Sequence, residues 1–227
     1  MIQTMPHPHP HTILRILLDE GLASMHLTLD ESVCVDLLRY VALLDKWNKV
    51  YNLTAVREPE RMIGVHILDS LSVLAHVKHA NTIIDVGTGG GLPGIPLAIC
   101  LAICAPHTRI TLLDTVAKKT TFLRQVVGEL GLSNVEVITG RVEKFHPTAP
   151  FQIVVSRAFA ELKDFVDGAG HLCAPDGTLL AMKGVHPFDE IARMGSGYGV
   201  SKVVALLVPQ IDSQRHLVFI QKTTVGK

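Results

Sequence analysis

Thr82 to Leu97 reads T-I-I-D-V-G-T-G-G-G-L-P-G-I-P-L, and the fold turns on this stretch. A β-branched run leads to an acid, Asp85. A loop holding Gly87, Gly89, Gly90 and Gly91 follows, and Pro93 and Pro96 flank the start of a helical pattern. The order is strand, turn, helix. Glycine has no Cβ, so such a loop can take positive φ, approach a ligand with its backbone and aim N–H groups at it. The stretch reads as a cofactor cradle.

The spacing leaves the cofactor open. Gly87, Gly89 and Gly91 form the G-x-G-x-G of S-adenosylmethionine loops, while Gly89, Gly91 and Gly94 form the G-x-G-x-x-G of dinucleotide folds. Asp114 lies where either cofactor needs an acid for its ribose hydroxyls. Asp85 favours an amino-acid cofactor, because a carboxylate at the strand end can meet an ammonium but repels a pyrophosphate.

From Asn81 onward strands and helices alternate, which predicts a parallel sheet covered on both faces. The expected strands are 82–86, 109–114, 135–138, 151–155 and 178–182, followed by 200–208 and 215–221. The short link Pro209 to Gln214 is too brief for a parallel crossover, so the final pair is expected to be antiparallel. A parallel sheet ending this way resembles the seven-stranded, Rossmann-like α/β fold of class I methyltransferases. Upstream, helices are expected over 12–21, from the Thr28-Leu-Asp-Glu31 capping box to about Trp47, and over 59–77. The expected division is a disordered His-Pro tail (1–11), a helical region (12–80) and a cofactor domain (81–227), the last two forming one compact unit.

Composition narrows the partners. Lys plus Arg equals Asp plus Glu at 21 each, so a nucleic-acid surface must be a local patch. No stretch is long and apolar enough to span a bilayer and the N-terminus lacks the layout of a secretory signal, which predicts a cytoplasmic protein. Cys34, Cys100, Cys104 and Cys173 include no C-x-x-C and no disulfide spacing; Cys100 and Cys104, on one helix face, read as small buried thiols, and Cys173 is expected late in a helix. His7, His9 and His11 have no acidic or thiol neighbours, so no metal site is expected. Trp47 and Tyr51, with Lys46, Lys49, Arg57 and Arg61 nearby, read either as a base-stacking surface or as packing of the helical region with solvated charges.

Ligands of parallel sheets lie beyond the carboxyl ends of the strands. Those ends gather Asp85, Gly87 to Gly91, Asp114, Gly140 to Glu143, and Ser156-Arg157. Asp114 is placed for ribose and the 140–143 loop for adenine. The fourth strand end carries Ser156-Arg-Ala-Phe159, not the Asn/Asp-Pro-Pro-aromatic of exocyclic-amine methyltransferases. That leaves an acceptor already nucleophilic, such as N7 of guanine, whose lone pair needs no general base.

Six blocks carry a more specific likeness: K-W-N-K-V-Y-N-L-T (46–54), H-I-L-D-S (66–70), D-V-G-T-G-G-G-L-P-G-I-P-L (85–97), S-R-A-F-A (156–160), M-K-G (182–184) and R-H-L-V (215–218). In register over about 28–222, they resemble the ribosomal RNA small subunit methyltransferase G family, also called the glucose-inhibited division protein B family. The resemblance implies transfer of methyl from S-adenosylmethionine to N7 of guanine 527 of bacterial 16S rRNA, as naked RNA, an assembly intermediate or the 30S particle, by a protein that is a monomer by default. It implies cofactor contacts at Gly87, Leu92, Val142, Glu143 and Arg157, joining Asp85, Gly89 and Asp114 from the strand-end reading. It also implies that Trp47, Asn48, His66 and Asp69 wall the site, and it assigns no catalytic residue. The stretch between Leu97 and Asp114 is about one helical turn longer than the family pattern. Two other readings compete: an NAD-type Rossmann oxidoreductase and a non-catalytic ribosome-binding module.

Overall fold

The chain begins with α1 (Pro10–Ser24) and α2 (Glu31–Tyr51), followed by a helical stretch in three parts. These are α3 (Pro59–Met62), a π-helical turn (Ile63–Leu68) and α4 (Asp69–Leu71). After a break at Ser72 and Val73 comes α5 (Leu74–Val77). The computed structural model describes residues 10–223, the first two as backbone only. The expected tail therefore lies mostly outside the described residues, although the backbone of Pro10 and His11 is already helical. His7 and His9 also lie outside.

The sheet alternates with the remaining helices in the order β1 (Thr82–Val86), α6 (Gly94–Cys104), β2 (Arg109–Asp114), α7 (Ala117–Leu130), β3 (Val135–Thr139), β4 (Phe151–Ser156), α8 (Leu162–Ala169), β5 (Cys173–Lys183), α9 (Phe188–Ala192), β6 (Tyr198–Ala205) and β7 (His216–Lys222). Across the sheet the strands run β3-β2-β1-β4-β5-β7-β6. The first five are parallel, and β7 lies antiparallel between β5 and β6, so the expected antiparallel pair is present. Because β7 runs backwards, its first residues share an edge with the carboxyl ends of β1 to β5.

Both faces are covered, as the unbroken burial of β1 and β2 after their first residues requires. One face packs with α6, α7 and the N-terminal helices in a single apolar core from Leu14 to Leu217, and the other packs with α8. Helix α6 is buried almost all round from Gly94 to Leu101 because it lies between the sheet and the helices before it. Gly131 ends α7 at φ +65° and Asn52 ends α2 at φ +51°, the left-handed stops expected of those residue types.

Four local expectations need correction. Glu31 does not reach back to form a capping box: Asp30 precedes the helix without a side-chain cap, and both Glu31 oxygens accept from the Arg15 guanidinium of α1. The fifth strand starts at Cys173, five residues early, because pairing with Phe151 of β4 extends it through Pro175-Asp-Gly. Cys173 is therefore a buried strand residue, while Cys104 is exposed at the end of α6. The single helix expected over 59–77 is broken by the π-helical turn and by Ser72-Val73.

Candidate functional site

The glycine loop is held from three sides. Gly87, Gly89 and Gly91 have φ of +69°, +61° and +98°, which L side chains rarely adopt. Gly94 is needed for space: a Cβ there would lie 2.2 Å from Leu112 Cδ2 and 2.8 Å from Asp85 Oδ2. From above, the buried Tyr40 hydroxyl of α2 donates to the Gly90 carbonyl at 2.7 Å. The glycines thus serve both spacings, and they do not choose between cofactors.

Asp85 does choose, though by a different route from the one its position suggests. It is fully buried, and its Oδ2 accepts from the Thr88 hydroxyl (2.6 Å) and from the Gly94 N–H (2.8 Å) at the start of α6. The N–H groups of Gly87 and Thr88 go to Leu113 O, those of Gly91 and Leu92 to Thr88 O, and that of Ile95 to Gly91 O. A pyrophosphate cradle needs these donors and the positive end of the helix. Here most of these donors are taken, and a carboxylate already sits at the helix end, which disfavours a pyrophosphate. The sequence reading had Asp85 meeting a ligand's ammonium directly. The structure instead turns it inward to brace the loop, with Oδ1 buried and unpartnered among the described residues.

Burial raises the Asp85 carboxyl to about pKa 6, against the stabilising bonds from Thr88 and Gly94. A group whose folded pKa lies above its unfolded value stabilises at low pH and loses that contribution as pH rises through the folded value. Relative to wild type, Asp85→Asn is therefore expected to gain about 2 kcal/mol of stability between pH 4 and 7. Urea unfolding of both proteins across that range checks this, and a pH-independent difference would show that the buried carboxyl does not titrate there.

Two small cavities flank Gly87 at the strand ends. One, of about 170 Å³, is lined by Gly87, Asp114, Gly140, Val142, Ala158 and Phe159. The other, of about 180 Å³, is lined by Leu53, Thr54, Gly87, Leu92, Arg157 and Ala158 among others. They share Gly87 and Ala158 and lie side by side as the two parts of a groove across the ends of β1, β2 and β4. Asp114 borders it with Oδ2 accepting from Gly89 N–H (2.9 Å) and Oδ1 from Val116 N–H (2.8 Å). Of the residues expected here, Gly87, Gly89, Leu92, Asp114, Val142 and Arg157 line the groove. Glu143 does not: it is exposed on a short 3₁₀ turn beside Val142 and faces Arg141 at 3.6 Å.

The helical region supplies the far wall. Asn48 is buried, donates to Val56 O and accepts from Thr54 N–H, so it folds the 52–56 loop over the groove. Trp47 packs against Tyr51 and Phe122, at 5.1 and 5.5 Å between ring centroids, which supports its reading as packing. His66 Nδ1 donates to Val65 O (3.0 Å), leaving Nε2 to accept from the Thr54 hydroxyl (2.9 Å). Burial and the nearby Arg157 lower His66 to about pKa 4. A neutral imidazole with both nitrogens engaged is poorly suited to act as a base.

Arg157 leaves the end of β4 and donates through Nη1 to Asp69 Oδ2 (2.8 Å) and Val65 O (3.1 Å). The other Asp69 oxygen accepts from Nε of Arg215 (3.0 Å), just before β7. Sequence reasoning gave Arg215 and Lys183 no role. Their signal lay in the M-K-G and R-H-L-V blocks, which mark one end of β5 and the adjoining start of antiparallel β7. Among the described residues no cluster of His, Cys, Asp and Glu is arranged to hold a metal ion, and no helix is long and apolar enough to cross a membrane.

Comparisons with known proteins bear on this groove. The family model described as rRNA small subunit methyltransferase G matches residues 33–218. Ribosomal RNA small subunit methyltransferase G of Chromobacterium violaceum is 52% identical over 88% of this chain and 94% of its own. The protein of the same name from Janthinobacterium sp. (strain Marseille) is 49% identical over 93% and 96%. Among solved structures, the O-methyltransferase TomG from Streptomyces achromogenes, in complex with SAM, aligns with a TM-score of 0.58 at 18% identity. That alignment covers 91% of this chain and 96% of TomG, a likeness of fold.

Proposed function

The chain belongs to the rRNA small subunit methyltransferase G family, and from that membership we propose that it methylates N7 of guanine 527 of bacterial 16S rRNA, using S-adenosylmethionine. The observation that supports the cofactor reading is the Asp85-capped loop: it disfavours a pyrophosphate yet leaves a groove bordered by Asp114 and floored by glycine. The residues fit the group. Asp114 stands where ribose hydroxyls need an acceptor, Val142 and Phe159 offer apolar surface to an adenine, and Leu92, Thr54 and Arg157 border the part nearest β4. Glu143, a cofactor contact by resemblance and near the adenine by the strand-end reading, stands exposed beside Val142.

When bound, S-adenosylmethionine supplies an electrophilic methyl on its sulfonium. The protein's task is to hold guanine N7 in line with that methyl and to keep water out, which positioning alone accomplishes. The surroundings agree with a reaction that needs no base. Ser156 Oγ donates to Val86 O, Cys173 is buried at the opposite end of β5, and His66 is neutral and engaged. The substrate in this reading is the 30S subunit or an assembly intermediate, since a chain of zero net charge binds bare RNA weakly. A monomeric cytoplasmic enzyme, with the 12–80 helices and the 81–227 domain acting as one unit over their shared core, completes it.

Calorimetric titration with S-adenosylmethionine and with NAD, followed by transfer of labelled methyl to 30S subunits, tests the proposal. Binding of the first alone, with label in the subunit RNA, is the expected outcome. NAD binding would restore the oxidoreductase reading, and subunit binding without label the non-catalytic one.

A further inference from the structure

Beyond the groove, past the ends of β4 and β5, lies a cavity of about 350 Å³ that the cofactor reading does not use. Its volume falls within the ~300–1,000 Å³ of small-molecule sites. Val65, His66, Asp69, Arg157, Lys183 and Arg215 line it. Arg157 also lines the groove beside Gly87, so the two spaces meet at one side chain.

The charges in it are arranged, not scattered. Asp69 is 2% exposed, and each of its oxygens takes one guanidinium, Arg157 at 2.8 Å and Arg215 at 3.0 Å. A carboxylate so enclosed offers nothing to a ligand. It holds two mutually repelling cations side by side, arriving from strand ends that are distant in sequence. Arg157 uses only Nη1, while Arg215 uses Nε and Nη1, the latter on Ser213 and Gln214. Nη2 of both arginines has no protein partner among the described residues. Lys183 is offset by Glu190 at 2.8 Å, and His66 is neutral, so the lining keeps an excess positive charge.

We infer that this cavity receives the acceptor nucleotide, and that Arg157 and Arg215, locked by Asp69, hold its phosphate. The inference rests on the methyltransferase reading above. The chemistry selects phosphate over base. A guanidinium fork on guanine takes O6 and N7 together, which would occupy the lone pair that must attack. Phosphate oxygens accept the same fork and leave N7 open. Asp69 is then a positioning residue: it fixes the spacing of two donors before the RNA arrives.

The test uses the full chain, S-adenosylmethionine at saturation and 30S subunits lacking the modification, across a series of salt concentrations. Arg215→Ala is expected to raise KM for subunits at least 10-fold and to reduce the salt slope by about 1, with cofactor affinity unchanged because Arg215 borders neither part of the groove. Arg215→Lys, which keeps the charge but not the fork, is expected to keep the slope and still raise KM several-fold. It carries the test alone if Arg215→Ala loses cofactor binding. Asp69→Asn separates positioning from bulk charge by sign. Removing a negative charge should lower KM by electrostatics alone, whereas loss of the clamp raises it. An unchanged KM in either Arg215 variant, or a lower one in Asp69→Asn, overturns the inference. A wild-type protein that labels no guanine overturns the underlying reading and the inference with it.

Discussion

Gly87→Asp is expected to raise the dissociation constant for S-adenosylmethionine at least about 100-fold, or ~2.7 kcal/mol, in a protein that still folds. Four effects act together at this residue. Its φ of +69° is strained for any L side chain, and a Cβ would lie 2.8 Å from the Cβ of Ala158. Both parts of the groove include Gly87, so the new side chain has nowhere to go except into ligand space. The added carboxylate would also stand close to Asp114, where a second negative charge helps nothing. Gly128→Ala is the matching control. A Cβ there meets nothing within 4 Å, and the site is inside α7, so affinity should hold and stability rise by about 0.5–1 kcal/mol. Calorimetry and thermal unfolding of both variants check the pair. Wild-type affinity in Gly87→Asp would place the cofactor elsewhere.

The second large effect belongs to Arg157→Ala, expected to lower kcat/KM by about 100-fold or more and stability by about 2–3 kcal/mol. Among the described residues, Arg157 is the one side chain lining both the groove and the neighbouring cationic cavity. Its removal leaves Asp69 buried with Arg215 as its remaining cation, and frees the Val65 carbonyl from its guanidinium partner. Breaking one half of a buried ion pair costs more than the pair was worth, because the surviving charge keeps its desolvation cost. Arg157→Lys should recover much of the stability through charge but less of the activity, since a shorter side chain ending in a tetrahedral ammonium lacks the planar fork that reaches Asp69 and Val65 through Nη1 and leaves Nη2 for a ligand. Steady-state kinetics beside urea unfolding separates the two losses. A drop in stability with full activity would make Arg157 a purely structural residue.

Strand positions were readable wherever local pattern and tertiary need coincide. The apolar runs of β1 and β2 are buried on both faces, and their ends match the reading from sequence. At β5 they diverge, since Cys173 reads locally as the end of a helix and becomes strand because Phe151 pairs with it. The same competition moved Glu31 from its own helix end to Arg15 on another helix.

The site was legible in its addresses more than in its directions. Strand-end reasoning gathered Gly87, Asp114, Val142 and Arg157, and the structure brings all four to one groove. The direction of the Asp85 side chain depends on how far the loop turns back, which no spacing reveals. The meeting of Asp69 with Arg157 and Arg215 needed the π-helical turn at Ile63–Leu68 and the reversal of β7, both products of packing. Trp47 was legible in type only, as an aromatic that packs or stacks, until Phe122 of α7 was found beside it.

The most direct measurement of the central claim is the position of the methyl group itself. The protein is incubated with labelled S-adenosylmethionine and 30S subunits from cells lacking the modification, and the 16S rRNA is then cleaved chemically at N7-methylguanine. One new cleavage is expected, at guanine 527, and it depends on both protein and cofactor. Label that resists N7-specific cleavage, or cleavage at a different guanine, would contradict it.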